Sequence, residues 1–173
     1  MQRAVEQDPL NATWHAIWAA HLIDVPDHEA AIAAATKAIA LDPHYFVAEH
    51  LLGEALAASG DVAGALRQYE RAYALAPWNA VATGLLAAAL AHRGDTAAAV
   101  RLVEAMGDAP MPLWGRVVYH LNISELDEAA DWYERMIEHR DPFAVVYAMG
   151  EITKSLRAHP RWARLAALMH RPR

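Results

Sequence analysis

The sequence contains no cysteine, which excludes a disulfide framework, a zinc knuckle, an iron–sulfur cluster and a thiol nucleophile, and leaves a reducing compartment allowed. Phenylalanine is scarce as well, at 2 of 173 residues, whereas alanine supplies 40. The 55% hydrophobic fraction is therefore made of small side chains, which let helices approach closely. Cations are outnumbered, 15 Lys and Arg against 21 Asp and Glu for a formal charge of −6. That balance argues against nucleic acid as a partner, because phosphate contacts need clustered cations. The one basic stretch holds Lys154, Arg157, Arg161, Arg164, Arg171 and Arg173 with no acid after Lys154, and it is expected to be a solvated cap. A chain of this length fits one domain and needs neither disulfide nor metal to fold.

Long apolar spans are also missing. Tyr73 to Ala91 is a run of 19 residues without a charge, close to the ~20 that a spanning helix needs. Pro77, Trp78 and Asn79 interrupt it, and proline removes a helical donor and pushes its predecessor toward extended backbone, so the run reads as two helices joined by a turn. The N-terminus, Met1 to Pro9, has no apolar signal core. No membrane contact and a cytoplasmic location are the expectations.

What the sequence does have is an internal period. Pro9, Pro43 and Pro77 stand 34 residues apart, as do Asp27, Asp61 and Asp95, and Ala31, Ala65 and Ala99, while Gly60 is followed by Gly94 at the same step. Within each period the apolar pattern is helical with a break in the middle and another at the end, so one unit is two antiparallel helices, A and B. In the clearest unit, helix A runs from about Phe46 to Ser59. Gly60-Asp61 then supplies a left-handed stop and an N-cap, and helix B runs from about Val62 to Leu75. Ala65, Tyr69 and Ala72 share its inward face.

Leu52-Gly53, Ala65, Tyr69, Ala72 and Pro77 resemble the tetratricopeptide repeat. The preceding unit matches through Trp18-Ala19, Leu22, Ala31, Ala35, Ala38 and Pro43. The third, from Ala80, keeps Leu86-Ala87, Leu90, Gly94-Asp95 and Ala99, but its helix B stops near Met106-Gly107. The fourth is out of step: Ala129 follows Ala99 by only 30 residues, although Tyr133-Glu134-Arg135 repeats Tyr69-Glu70-Arg71. The resemblance implies an all-α, right-handed superhelical solenoid of antiparallel helix pairs. The expected division is residues 1–9 as the tail of a preceding partial repeat in a chain cut from a longer protein, 10–142 as repeats, and 143–173 as a C-terminal capping segment. In the last of these, Trp162, Leu165 and Met169 share one helical face that should pack on the last repeat, with Arg161, Arg164 and His170 left in water.

The tail, with Arg140-Asp141-Pro142, Leu156-Arg157, Pro160-Arg161-Trp162 and Met169, is similar to the closing element found after tetratricopeptide repeats in bacterial signalling proteins. His159 stands where an aspartate is usual. Those proteins are class III adenylate cyclases or winged-helix regulators. The resemblance implies a protein-interaction scaffold forming the C-terminal regulatory part of such a protein; the alternative is the non-catalytic portion of an enzyme such as a cyclase.

No catalytic residue, metal ligand or cofactor is expected from the chain itself. Its ten histidines include no i, i+4 pair and no His-Glu-x-x-His. Gly60-Asp61-Val62-Ala63-Gly64 lacks the Gly-Lys-Ser/Thr ending of a phosphate loop. Glu125, Asp127 and Glu128 open a helix, whose positive end favours them.

In such a stack the A helices line the concave face. The residues opposite the leucine stripe are Thr13, Ala16 and Ala20; Val47, His50, Glu54 and Ala57; Val81, Gly84, Ala88 and Ala91; and Trp114, Val118 and Leu121. This face is apolar, small and poor in cations. It suits a protein or peptide partner in the form of an apolar or amphipathic helix, with His50 and Glu54 fixing register and Ala88→Glu expected to disturb binding but not folding. It does not suit the carboxylate clamp of chaperone-binding repeats. The competing reading is that the face fills itself, either because its alanine-rich walls let the A helices close up or because it admits the chain's own Phe143 to Tyr147. A homo-oligomer is compatible with either.

Overall fold

The computed structural model describes residues 2–107 and 113–169, which are helical and carry no strand. It divides into two compact units, Met1–Pro77 and Trp78–Arg173, so the boundary falls at the closing proline of a repeat.

The first unit holds α1 (Gln2–Gln7), α2 (Ala12–Asp24), α3 (His28–Leu41), α4 (Phe46–Ser59) and α5 (Val62–Leu75). Helix α2 packs on α3 and on α4, and α4 packs on α5. The 34-residue period is a period of helix starts. Asp27 accepts from the Ala30 amide at 3.2 Å and Asp61 from the Gly64 amide at 2.8 Å, so each caps a B helix. Gly60, at φ 94°, ends α4, and the Asp61 amide closes the turn onto the Leu56 carbonyl at 2.9 Å. The core is alanine-rich. Ala19, Ala31, Ala35 and Ala55 are fully buried with Leu22 and Leu52, and Trp18, Ile23 and Ile32 seal the edges.

One charge is enclosed in this unit. Glu49 on α4 has no solvent exposure and meets the Arg71 guanidinium at 3.0 Å. Burial raises its pKa and Arg71 only partly offsets that.

The second unit holds α6 (Ala80–His92), α7 (Thr96–Ala105), α8 (Leu113–Asn122), α9 (Leu126–Glu138), α10 (Pro142–Val146), a 3₁₀ turn (Glu151–Thr153), α11 (Lys154–Arg157) and α12 (Trp162–Met169). Asp95 caps α7 through the Ala98 amide at 3.1 Å, and Gly94 repeats the left-handed stop at φ 93°. Helices α6 and α8 meet through glycine. A Cβ on Gly84 would lie 2.3 Å from the Gly115 carbonyl oxygen, and one on Gly115 would lie 2.3 Å from that of Ala80.

Helix α9 carries the tail. Trp162 and Tyr133 have ring centroids 5.8 Å apart, Leu165 and Leu156 are fully buried, and the Tyr133 hydroxyl donates to the Ala144 carbonyl. Arg157 donates to the Ala148 and Gly150 carbonyls and to the Thr153 hydroxyl, at 3.3, 2.6 and 2.9 Å. The expectation that Arg161 stays in water is corrected to a half-buried ion pair, whereas Arg164 is exposed as expected. Arg161 reaches Asp131 at 2.6 Å and Glu134 at 3.1 Å, and Arg164 reaches Glu134 at 2.5 Å, because α12 lies along the acidic side of α9. His170 lies outside the described residues. Trp162 is half-buried, so Trp162→Ala should cost about 2 kcal/mol, less than the 3–5 of a fully buried aromatic. A urea midpoint that moves by that amount in the variant checks it.

Candidate functional site

In the first unit the A-helix face stays partly open. Along α2, Thr13 is exposed and Ala20 half-buried, while Ala16 is spent on packing at 1% exposure. Along α4, Val47, His50 and Glu54 are half-buried and Ala57 is exposed. Their spacing of three and four residues puts all four on one stripe.

The second unit differs. Val81 and Ala91 on α6 are half-buried, but Gly84 and Ala88 are buried, Gly84 because it lies against the Gly115 backbone. On α8, Trp114, Val118 and Leu121 are all buried. Trp114 stacks on Tyr147, with ring centroids 4.8 Å apart and planes at 4°, and Tyr147 stacks in turn on Phe143 at 5.6 Å. The segment that closes the repeats thus covers the start of α8. As contact residues for a partner, Ala16, Gly84, Ala88, Trp114, Val118 and Leu121 are corrected to packing residues. Ala88→Glu is accordingly a core substitution and not a surface one, because Ala88 keeps only 3% of its exposure.

The polar groups of the first unit's face are shaped by burial. His50 is held neutral, its pKa lowered to about 4 by burial alone, and its Nδ1 is buried without a hydrogen bond. Its ring lies 6.2 Å from that of Phe46. Glu54 is pushed up to about 7, first by burial and then by the Asp24 carboxylate. Tyr69, 6% exposed, is raised first by burial and then by Glu54. Asp24 and Tyr69 are therefore coupled to Glu54 by charge, although the face pattern omits both. Asp24 is the last residue of α2, outside the stripe, and Tyr69 reads as a packing residue. The signal that could have found Tyr69 is Gly53: a Cβ there would lie 2.5 Å from the Tyr69 ring, so the ring crosses α4 at the residue before Glu54.

Chemically, the face offers apolar contact, a neutral imidazole and a carboxyl group poised near neutral pH. Among the described residues no three His, Asp or Glu side chains converge as metal ligands, and no helix is long and apolar enough to cross a membrane.

Residues 56–110 match the tetratricopeptide repeat family. No curated protein sequence matches the chain significantly. Among solved structures, the chain is similar to TTC0263, a thermophilic tetratricopeptide protein of Thermus thermophilus, at 20% identity and a TM-score of 0.66, covering 96% of this chain and 87% of that one. MamA is similar at 20% identity and a TM-score of 0.55, covering 83% of this chain and 86% of its own. YrrB, described as a tetratricopeptide protein with an unusual peptide-binding site, is similar at 20% identity and a TM-score of 0.57, covering 97% and 89%. These likenesses show the fold, an all-helical tetratricopeptide solenoid.

Proposed function

We propose that the chain is a protein-interaction scaffold whose first unit holds an apolar or amphipathic helix of a partner against α2 and α4. The observation that carries this reading is the contrast between the two A-helix faces. The start of α8 is covered by the chain's own Tyr147, whereas Thr13, Ala20, Val47, His50, Glu54 and Ala57 keep solvent exposure. Small residues beside a neutral imidazole give a helix contact area with little polar surface to desolvate. The peptide-binding site of YrrB supports the same use of the fold.

On this reading residues 10–142 are the repeats and 143–173 the cap. The tail's resemblance to bacterial signalling proteins supports a C-terminal regulatory role in a cytoplasmic protein of the adenylate cyclase or winged-helix regulator type. The alternative parent is an enzyme of which this is the non-catalytic portion. The chain itself carries no catalytic role in either.

Ala20→Glu and Ala57→Glu test the face. Helices selected against the full chain from a displayed library of amphipathic peptides should bind at least tenfold more weakly to either variant, because a carboxylate would be desolvated without a partner, with the urea midpoint unchanged in Ala57→Glu, which is exposed, and lowered in Ala20→Glu, which packs partly on the core. Binding that neither variant alters would place the interface elsewhere.

A further inference from the structure

The segment that covers the start of α8 has a second side. Ala144 and Ala148 are buried and Tyr147 stacks on Trp114, whereas Val145, Val146 and Met149 turn outward and are 63%, 66% and 79% exposed. The backbone beneath them is held in place. The buried Thr153 hydroxyl donates to the Tyr147 carbonyl at 2.7 Å, and Arg157 donates to the Gly150 carbonyl at 2.6 Å. A cluster of large apolar side chains left in water marks a contact surface, and a fixed backbone keeps the cost of ordering it on contact low.

Charge is divided along the chain. Before Trp78 there are 4 Lys and Arg against 10 Asp and Glu, from Trp78 on there are 11 of each, and from Arg140 on there are 7 against 2. Among the described residues one acid of the first unit, Glu49, meets an arginine. In the second unit Arg161 and Arg164 are answered by Asp131 and Glu134. Arg157, by contrast, donates to neutral oxygens, and Arg140 makes no ion pair among the described residues. The outward side of the segment is thus apolar with uncancelled cations beside it, and the open face of the first unit is apolar within an acidic unit.

We propose that Val145, Val146 and Met149 of one copy seat on the α2 and α4 face of a second copy, joining chains head to tail. The inference rests on the reading of α2 and α4 as a helix-binding face and names a second copy of this chain as its occupant. The inner side of the same segment already seats on an A helix, that of its own unit. On the receiving face Ala20, Val47 and Ala57 give bulky apolar side chains contact with little polar surface to desolvate. Attraction between the acidic unit and the cations of the cap favours this pairing over others. Cap against cap would set Arg140 and Arg157 against like charges, and an anionic membrane would repel a chain whose net charge is −6. The contact is heterologous, so the chain at each end of a pair keeps a segment or a face for another copy.

The test is sedimentation of the full chain from micromolar to millimolar concentration. The weight-average mass should rise past that of one chain as concentration increases, and should fall back when salt is raised. Val146→Glu/Met149→Glu and Ala57→Glu should each stay monomeric throughout, with the circular dichroism and urea midpoint of wild type, because all three positions are exposed. Mixed together, the two variants should regain a one-to-one dimer and nothing larger, since one brings an intact face and the other an intact segment. A mixture that stays monomeric would overturn the head-to-tail pairing. Association that Ala57→Glu keeps and the segment variant loses would overturn α2 and α4 as the receiving surface. A wild-type chain that is monomeric throughout would overturn the second copy as occupant, while displayed helices that still bind it would keep the helix-binding face. Monomers that float with phosphatidylglycerol vesicles, and cease to in Val146→Glu/Met149→Glu, would make a lipid surface the occupant of the segment and overturn the proposal.

Discussion

Gly115→Ala should destabilise the second unit by about 3 kcal/mol, at the upper end of the cost of overpacking. Helix propensity alone predicts the opposite sign, since alanine in place of glycine inside a helix is favourable by about 1 kcal/mol. The contact decides. The new methyl would stand 2.3 Å from the Ala80 carbonyl oxygen, a backbone atom held in the first turn of α6 that cannot rotate away. Gly84→Ala meets the Gly115 carbonyl at the same distance and should behave likewise. Gly53→Ala is the control, because its close neighbour is the Tyr69 ring, a side chain that can shift, so its loss should be smaller. Urea midpoints rank the three. Gly115→Ala at or above wild-type stability would mean that α6 and α8 do not meet as closely as described.

The period in the sequence is legible because it is tied to local chemistry. Asp27, Asp61 and Asp95 each cap the B helix that follows, and Ala31, Ala65 and Ala99 are buried at the same step. Both follow from short-range rules that need no knowledge of what lies across the structure. The fate of α8 is not legible in that way. Trp114 opens an A helix and looks available, yet its cover is Tyr147, 33 residues on and beyond the last recognisable repeat. The same holds for Arg161, whose partner Asp131 stands on the previous long helix. Asp24 likewise adds to the raised pKa of Glu54, one repeat later. Stacking one hairpin on the next brings such pairs together, and the apolar pattern of a single helix carries no trace of it.

His50 and Glu54 should give the wild-type chain a stability that barely changes between pH 4.5 and 6.5 through these two groups, because their proton uptakes oppose each other. Glu54 has a folded pKa of about 7 against an ordinary 4.5. Between those values the folded state holds the extra proton, so this group adds stability as pH falls. His50 has a folded pKa of about 4 against an ordinary 6.5. Between those values the unfolded state holds the extra proton, so this group removes stability as pH falls. Each slope is one proton, about 1.4 kcal/mol per pH unit, and the two cancel where the windows overlap. Single substitutions should expose each half. Glu54→Gln should exceed wild type by roughly 3 kcal/mol above pH 7, a shift of two to three units converted at about 1.4 kcal/mol each, and should then lose stability steadily as pH falls below 6.5. His50→Leu should gain stability as pH falls from 7 toward 4.5. Asp24, which faces Glu54 from α2, is common to all three proteins, and so is Glu49, which drifts in the Glu54 direction because burial raises it too. Differences between each variant and wild type therefore remove both. Urea denaturation at half-unit intervals from pH 4 to 8 reads the profiles, and a Glu54→Gln curve parallel to wild type would show that the carboxyl is hydrated and the first unit's face is wetter at that end than its packing describes.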